Sequence, residues 1–331
     1  MKKYAHSLVL GKFMDAHIGH EALFRFTIGL AHKTTILVCL GDNDRMDVDR
    51  RAEWIRDTVG KAAEVLIIDQ REEGLEQKEE SDVGVSKQWA EWVEKRFPTV
   101  DVVAGSEDYI TYMADASDRF DAAIFDQERK AFPISSTKVN AGAYHMRMHE
   151  AKRDLSEKVY ILGAESSGKS VVVKELAKEF QCDSVMEQAR KYINDRGDFC
   201  RSDLTIYALA QELEVRKAIN AAVGKTLLID SSVFTTLAYG MHYFKQGLAD
   251  ENLLYELAGQ EDGLYILMTP EVPWVDDGTR IMPDLNERWD LFHQMFVLLE
   301  GMNKHFVIVT GDDYIERTDK VRQHIKTEYQ L

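Results

Sequence analysis

The sequence predicts an α/β protein of two domains, each built on a parallel sheet with helices on both faces. Short apolar runs alternate with helix-patterned segments along the whole 331-residue chain, the signature of strand-then-helix units. The alternation breaks once, over a polar stretch around Ala141–Glu157, and then restarts. In each half the first apolar run feeds a glycine-marked turn and then a helix. A length prior of ~150 residues per domain also gives about two.

In chain order, Tyr4–Leu10 reads as the first strand, followed by a loop and a helix near Gly19–Lys33. Thr35–Leu40 is the next strand, Arg50–Val59 a helix, Glu64–Ile68 a strand. Ser86–Arg96 is a helix with Trp89, Trp92 and Val93 on one face; Val100–Ala104 and Ala122–Phe125 are further strands. Arg71–Asp82 is charged and reads as a solvated loop. The expected boundaries are a first domain over 1–145, a connector over 146–157 in which Ser156 caps a short turn, and a second domain over 158–331. There the strands are Val159–Leu162, Ser184–Met186, Thr226–Ile229, Leu264–Met268 and Phe306–Val309. Helices are expected over Val171–Phe180, Leu204–Ala222 and Asp313–Glu328. Pro270, Pro273 and Pro283, three of only five prolines, mark an irregular loop.

Composition narrows the function. Lys+Arg 41 against Asp+Glu 57 gives a net charge of −16, which argues against a general nucleic-acid binder while leaving room for local basic pockets. Hydrophobic residues at 45% exclude a disordered chain. No run approaches the ~20 apolar residues of a membrane span. Cys39, Cys182 and Cys200 are too few and too scattered for a disulfide framework or a cysteine zinc site. The start, MKKYAHSLVL, lacks a long apolar core and a cleavage site and reads as a strand rather than a leader. A cytoplasmic protein with small-molecule ligands and neither nucleic-acid nor membrane partners is expected; a homo-oligomer is compatible with this reading.

Two motifs carry chemistry. After the first strand comes Gly11-Lys12-Phe13-Met14-Asp15-Ala16-His17-Ile18-Gly19-His20, at the start of a helix. Helix-start N–H groups favour an anion, Gly19 lets a phosphate come close, and His17, His20 and Lys12 supply donors for triphosphate oxygens. The second motif, Gly163-Ala164-Glu165-Ser166-Ser167-Gly168-Lys169-Ser170, is a complete G-x(4)-G-K-S between a strand and a helix. Its backbone would wrap a triphosphate, Lys169 would neutralise the β- and γ-phosphates, and Ser170 would offer a hydroxyl to Mg2+. The strand Leu227–Ile229 ends in Asp230, a second candidate for the metal shell or a base. In the proline-marked loop, Arg280 is placed to swing over the phosphates.

The first motif resembles the signature of the nucleotidyltransferase superfamily that includes the NMN adenylyltransferases. Members carry a second motif, I-S-x-T-x-x-R; here it reads Ile134-Ser135-Ser136-Thr137-Lys138-Val139-Asn140. The resemblance implies phosphate contacts for Gly11, Lys12, Phe13, His17, His20, Ser135 and Thr137. Asn140 stands where the arginine is expected, with Lys138 the cation left to compensate, and Asp15 stands where the family has proline. Arg50-Arg51-Ala52-Glu53-Trp54-Ile55 resembles the family's R-x-x-W-L helix, which implies that Trp54, Trp89 and Trp92 lie near a pyridine nucleotide; by spacing alone they read as core.

Both motifs in one chain resemble the bifunctional NMN adenylyltransferase/ribosylnicotinamide kinase family of NadR type. GAESSGKS and Trp274-Val275-Asp276-Asp277-Gly278 with Arg280 resemble its kinase half, and the likeness implies substrate contacts for Trp274 and Asp276. Glu187 and Arg190 fall where small-molecule kinases face the acceptor. Members often show D-x-D where this chain has Asp230-Ser231-Ser232. A strand beginning by Tyr4 leads to the expectation that the helix-turn-helix of some members is lacking. The resemblance implies a Rossmann-like nucleotidyltransferase domain and a P-loop kinase domain. The expected reactions are phosphorylation of nicotinamide riboside by ATP in the second half and adenylylation of NMN by ATP to NAD in the first, with Mg2+. The alternatives are a nucleotidyltransferase of another phosphorylated substrate fused to a kinase, and a kinase with a non-catalytic sensing domain.

Overall fold

The computed structural model describes residues 2–42, 44–76, 82–196, 200–244, 251–278 and 280–330, and divides into two compact units, Met1–Asp154 and Leu155–Leu331. Residues 77–81 of the predicted charged loop and Thr279 of the proline-marked loop lie outside the described residues.

The first unit runs β1 (Tyr4–Gly11), α1 (Ile18–Leu30), β2 (Ala31–Leu40), α2 (Val48–Val59), β3 (Glu64–Asp69), α3 (Val83–Arg96), β4 (Val102–Gly105), α4 (Tyr109–Asp115), β5 (Asp121–Ile124), α5 (Ser136–Asn140) and α6 (His149–Leu155). All neighbouring strands are parallel, in the order β3-β2-β1-β4-β5. Leu8, Leu10, Leu37 and Val103 share one face with Trp89 and Val93 of α3 and Met113 of α4. The order reverses at β1, so a crevice opens at the carboxyl ends of β1 and β4. The predicted helix to Lys33 is shorter: it stops at Leu30, and Ala31 pairs with Tyr4 at the start of β2. The polar run His32-Lys33-Thr34-Thr35 carries no strand pattern of its own; pairing with β1 makes it extended.

The second unit runs β6 (Glu157–Gly163), α7 (Lys169–Phe180), β7 (Asp183–Val185), α8 (Ala189–Arg196), α9 (Arg201–Ala221), β8 (Thr226–Asp230), α10 (Val233–Phe244), α11 (Glu251–Gln260), β9 (Leu264–Met268), α12 (Leu285–Gly301), β10 (Phe306–Val309) and α13 (Tyr314–Tyr329). Its parallel order is β10-β9-β6-β8-β7. Alternation along β6 is complete: Val159 and Ile161 pack towards α7 and α13, while Tyr160 and Leu162 pack towards α9, α10 and α12. The described residues of 269–284 form no helix or strand. No described helix is long and apolar enough to cross a membrane.

The residues read as a connector are partly built into the first unit. Arg147 bridges His17, Met148 N–H donates to Ala16 O at 3.1 Å, and α6 follows.

Candidate active sites

In the first unit His17 caps α1. Its backbone is extended and its Nδ1 accepts the His20 N–H at 3.4 Å, which leaves the proton of the neutral ring on Nε2. The two imidazoles stack with centroids 3.7 Å apart, and Phe13 meets His20 edge-on at 5.2 Å. Burial, aided by the charge of Arg129 and opposed by Asp15, pushes His17 down to about 4. Burial, His17 and Arg129 hold His20 well below its ordinary value. Both rings are therefore neutral near pH 7, and act as oriented hydrogen-bonding groups rather than as cations. Gly19 serves this arrangement: a Cβ there would stand 3.1 Å from the His17 ring and 3.2 Å from Ile134. The glycine clears space for the imidazole, where the sequence suggested open backbone for a phosphate.

A cavity of about 500 Å3 opens at the crevice, and Gly11, Lys12, Phe13, His17, His20, Ser135 and Thr137 all lie in its wall. Thus the two sequence motifs, more than a hundred residues apart, meet at one site. Lys12 is not free within it; its Nζ lies 2.7 Å from Asp44, whose other oxygen pairs with the fully buried Arg51. Burial would raise the Asp44 carboxyl, but Lys12, the Gly41 N–H and Arg51 outweigh it and hold it low. Asp15 turns away from the cavity and pairs with Arg147 at 2.9 Å, so no bare carboxylate replaces the family's proline.

Several of the expected site residues lie apart from this wall. Lys138 is not in the cavity wall; its Nζ donates to Pro133 O at 3.1 Å, and Asn140 is exposed at the end of α5. Trp54, Trp89 and Trp92 do not line the cavity either. Trp54 is buried and donates to Asp154 at 2.8 Å. Trp89 belongs to the core, and Trp92 packs edge-on against it while donating to Glu73. An aromatic stripe at helical spacing is here what it most often is, the buried face of a helix. Besides Lys12, Arg129 stands in the wall, 2.7 Å from Glu107. Within Asp126-Gln127-Glu128-Arg129-Lys130 it looks like any surface charge, and no sequence signal singles it out.

In the second unit the phosphate loop has its expected shape. Gly163 has φ +149°, and a Cβ there would stand 2.7 Å from Met268 O and from Ser167 Oγ. Gly168 ends the loop with φ +91° as the N-cap of α7. Lys169 is buried and its Nζ donates to Ala164 O at 3.0 Å, curled within the loop. Ser170 Oγ donates to Asp230 Oδ2. Asp230 is fully buried and its Oδ1 has no hydrogen-bond partner among the described residues. Burial, then the charge of Glu187, pushes its carboxyl up to about 6 against Lys169, Ser170 and Arg190. A buried hydroxyl–carboxylate pair with an oxygen to spare fits a hard divalent cation that completes its shell from phosphate oxygens and water. Among the described residues no three His, Cys, Asp or Glu side chains converge to hold a metal ion by themselves.

The proline-marked loop closes on the phosphate loop through its polar atoms. Glu165 accepts from Trp274 Nε1 at 3.5 Å and from the N–H groups of Ile281 and Met282. Arg280 donates to Ser166 Oγ at 2.8 Å and to Val275 O, and pairs with Asp277 at 3.1 Å. Asp277 also pairs with Arg190, which pairs with Glu187, both at 3.0 Å. Glu187, Arg190 and Arg280 are thus tied through Asp277 into one polar chain that reaches Ser166 of the phosphate loop, while Trp274 is held separately on Glu165. Asp276 is not part of it: the side chain is exposed and accepts the Gly278 N–H, a turn contact. Its neighbour Asp277, passed over in the sequence, makes the bridge.

The model of the AAA domain family matches residues 158–317. The trifunctional NAD biosynthesis/regulator protein NadR of Escherichia coli K12 is 26% identical over 349 residues, spanning 96% of this chain and 81% of that protein. NadR of Salmonella typhimurium is 27% identical over 342 residues, spanning 93% and 79%. This chain is a homologue of the NadR proteins. A crystal structure of NadR in complex with NR shares the fold, with a TM-score of 0.58 at 18% identity over 98% of this chain and 97% of that one. NadR with NAD and AMP-PNP gives the same TM-score at 17% identity. The likeness to NadR thus extends through both units.

Proposed function

We propose that this chain is a two-reaction enzyme of NAD salvage, making NMN from nicotinamide riboside in its second unit and NAD from NMN in its first. The observation that carries the reading is the likeness to NadR along nearly the whole chain, with the H-x-G-H and I-S-x-T segments meeting at one cavity. In the second unit the ribose 5′-hydroxyl attacks the γ-phosphorus of ATP. Lys169 and the loop N–H groups hold the phosphates, and Arg280 neutralises charge as it develops. Ser170 and Asp230 would hold Mg2+, which would supply positive charge against the phosphates. Glu187, Arg190, Trp274 and Asp277 line the acceptor side. In the first unit the NMN phosphate attacks the α-phosphorus and pyrophosphate leaves. No protein nucleophile is required; the protein contributes alignment, with His17 Nε2–H and the hydroxyls of Ser135 and Thr137 as donors.

The test is direct. Nicotinamide riboside with ATP should yield ADP and NMN, and NMN with ATP should yield pyrophosphate and NAD. A sensing first unit, favoured by the exposed Asn140 and the averted Lys138, would bind NAD or ATP and release no pyrophosphate.

A further inference from the structure

The first unit faces a charge problem. A triphosphate brings several negative charges, yet the motif arginine is replaced by Asn140, Lys138 turns to Pro133 O, both histidines are neutral and Lys12 is engaged by Asp44. Arg129 stands in the same cavity wall as Thr137 and the stacked histidines. Its guanidinium is 2.7 Å from Glu107 and 3.4 Å from Ile134 O, the carbonyl that immediately precedes Ser135. The loop that presents it is pre-shaped. Asp126 accepts the N–H groups of Lys130, Ala131 and Phe132 at 2.8–3.0 Å, and Arg129 N–H returns to Asp126 O at 2.7 Å. Those bonds fix the Asp126 carboxylate against the N–H groups of its own loop.

Resting on the adenylyl-transfer reading above, we infer that Arg129 is the triphosphate cation of the first unit, standing in from outside the motif for the arginine that Asn140 replaces, and that Glu107 occupies it until the nucleotide arrives. The pair is half exposed, so its exchange for a phosphate costs little: a solvent-accessible ion pair is weak. A guanidinium facing phosphate gains two parallel charge-assisted bonds.

The experiment uses the full chain with two readouts. Pyrophosphate release from NMN and ATP reports on the reaction. The ring signals of His17 and His20, followed by NMR during titration with inorganic tripolyphosphate, report on phosphate binding at this site alone. Arg129→Ala should lower kcat/KM for pyrophosphate release on the order of 10²-fold and weaken tripolyphosphate binding in parallel, with Arg129→Lys in between. Glu107→Gln should tighten tripolyphosphate binding, since it frees the guanidinium; a merely structural pair would not respond this way. If Arg129→Ala stays within the about threefold range of an ordinary surface substitution in both readouts, the inference is overturned. Equal weakening by Glu107→Gln and Arg129→Ala would also overturn it, marking the pair as a scaffold contact. Should the wild-type chain bind tripolyphosphate through Arg129 yet release no pyrophosphate, the cation assignment stands and the adenylyl-transfer reading falls.

Discussion

Replacing Asp230 by Asn should stabilise the second unit while silencing it. The carboxyl is fully buried beside Ser170, one oxygen has no partner among the described residues, and burial pushes its pKa from the ordinary 3.8 up to about 6. At ~1.4 kcal/mol for each tenfold change in proton affinity, that rise amounts to about 3 kcal/mol. The sign follows from linkage. The folded state holds this proton more tightly than the unfolded chain, so the stability the group contributes is present below 3.8, declines as pH rises, and is gone above about 6. Asn keeps the shape and an acceptor for Ser170 but never ionises. Urea unfolding in EDTA, read by hydrogen exchange of β6 and β8 peptides, should therefore show the variant more stable by up to about 3 kcal/mol near pH 8, with the gain vanishing near pH 4. Adding ATP and Mg2+ should narrow or reverse the difference, because ligand at ~100 times its Kd stabilises a competent site by about 2.7 kcal/mol. Phosphorylation of nicotinamide riboside should fall by roughly 10² or more. A variant no more stable than wild type near pH 8, or equally stabilised near pH 4, would refute the argument that desolvation of this carboxylate is stored at the site.

Four further outcomes are expected. Lys169→Ala should abolish phosphorylation of nicotinamide riboside while pyrophosphate release from NMN and ATP persists; parallel loss of both would argue against separate sites. Arg280→Ala should lower the kinase kcat more than it raises the KM for ATP, and a pure KM effect would reduce Arg280 to the loop-closing contacts it makes with Ser166 and Val275. Because burial pushes His17 down to about 4, no inflection of pyrophosphate release near 6.5 should belong to it, and one that disappears in His17→Gln would contradict its neutral state. Glu261, buried between the Val233 N–H and the Tyr265 hydroxyl, has its carboxyl pushed up to about 8 by burial, so stability should decline as pH rises from 4.5 towards 8. In Glu261→Gln that slope should flatten, as measured by thermal unfolding across the range.

Much of the strand framework was legible in the chain. Leu264–Met268 and Phe306–Val309 have the bounds read from their apolar runs, and the phosphate loop lies between strand and helix as its spacing requires. Among the helices that escaped, some are apolar nearly all round or short, though α12, long and buried at Arg288, Leu291, Phe292, Met295 and Leu298, was also left unread. α10, VFTTLAYGMHYF, is apolar nearly all round because α9, α11 and α12 pack against it. α4 and α5 span too few residues for a 3.6-residue period to stand out.

By itself the sequence determined the two-unit α/β architecture, the strand-to-helix turns and the motif residues, because these depend on neighbours a few positions apart: side-chain period, glycine geometry and capping. Only the tertiary structure decided which charges face which. It turned Asp15 to Arg147, Lys12 to Asp44 and Lys138 to Pro133, sank Trp54 and Trp89 into the interior, chose Asp277 over Asp276, and brought Arg129 to a cavity shared with His17. The reason is physical. A charge in a crevice interacts with whatever the fold sets within a few ångströms of it, and a linear sequence does not encode that distance.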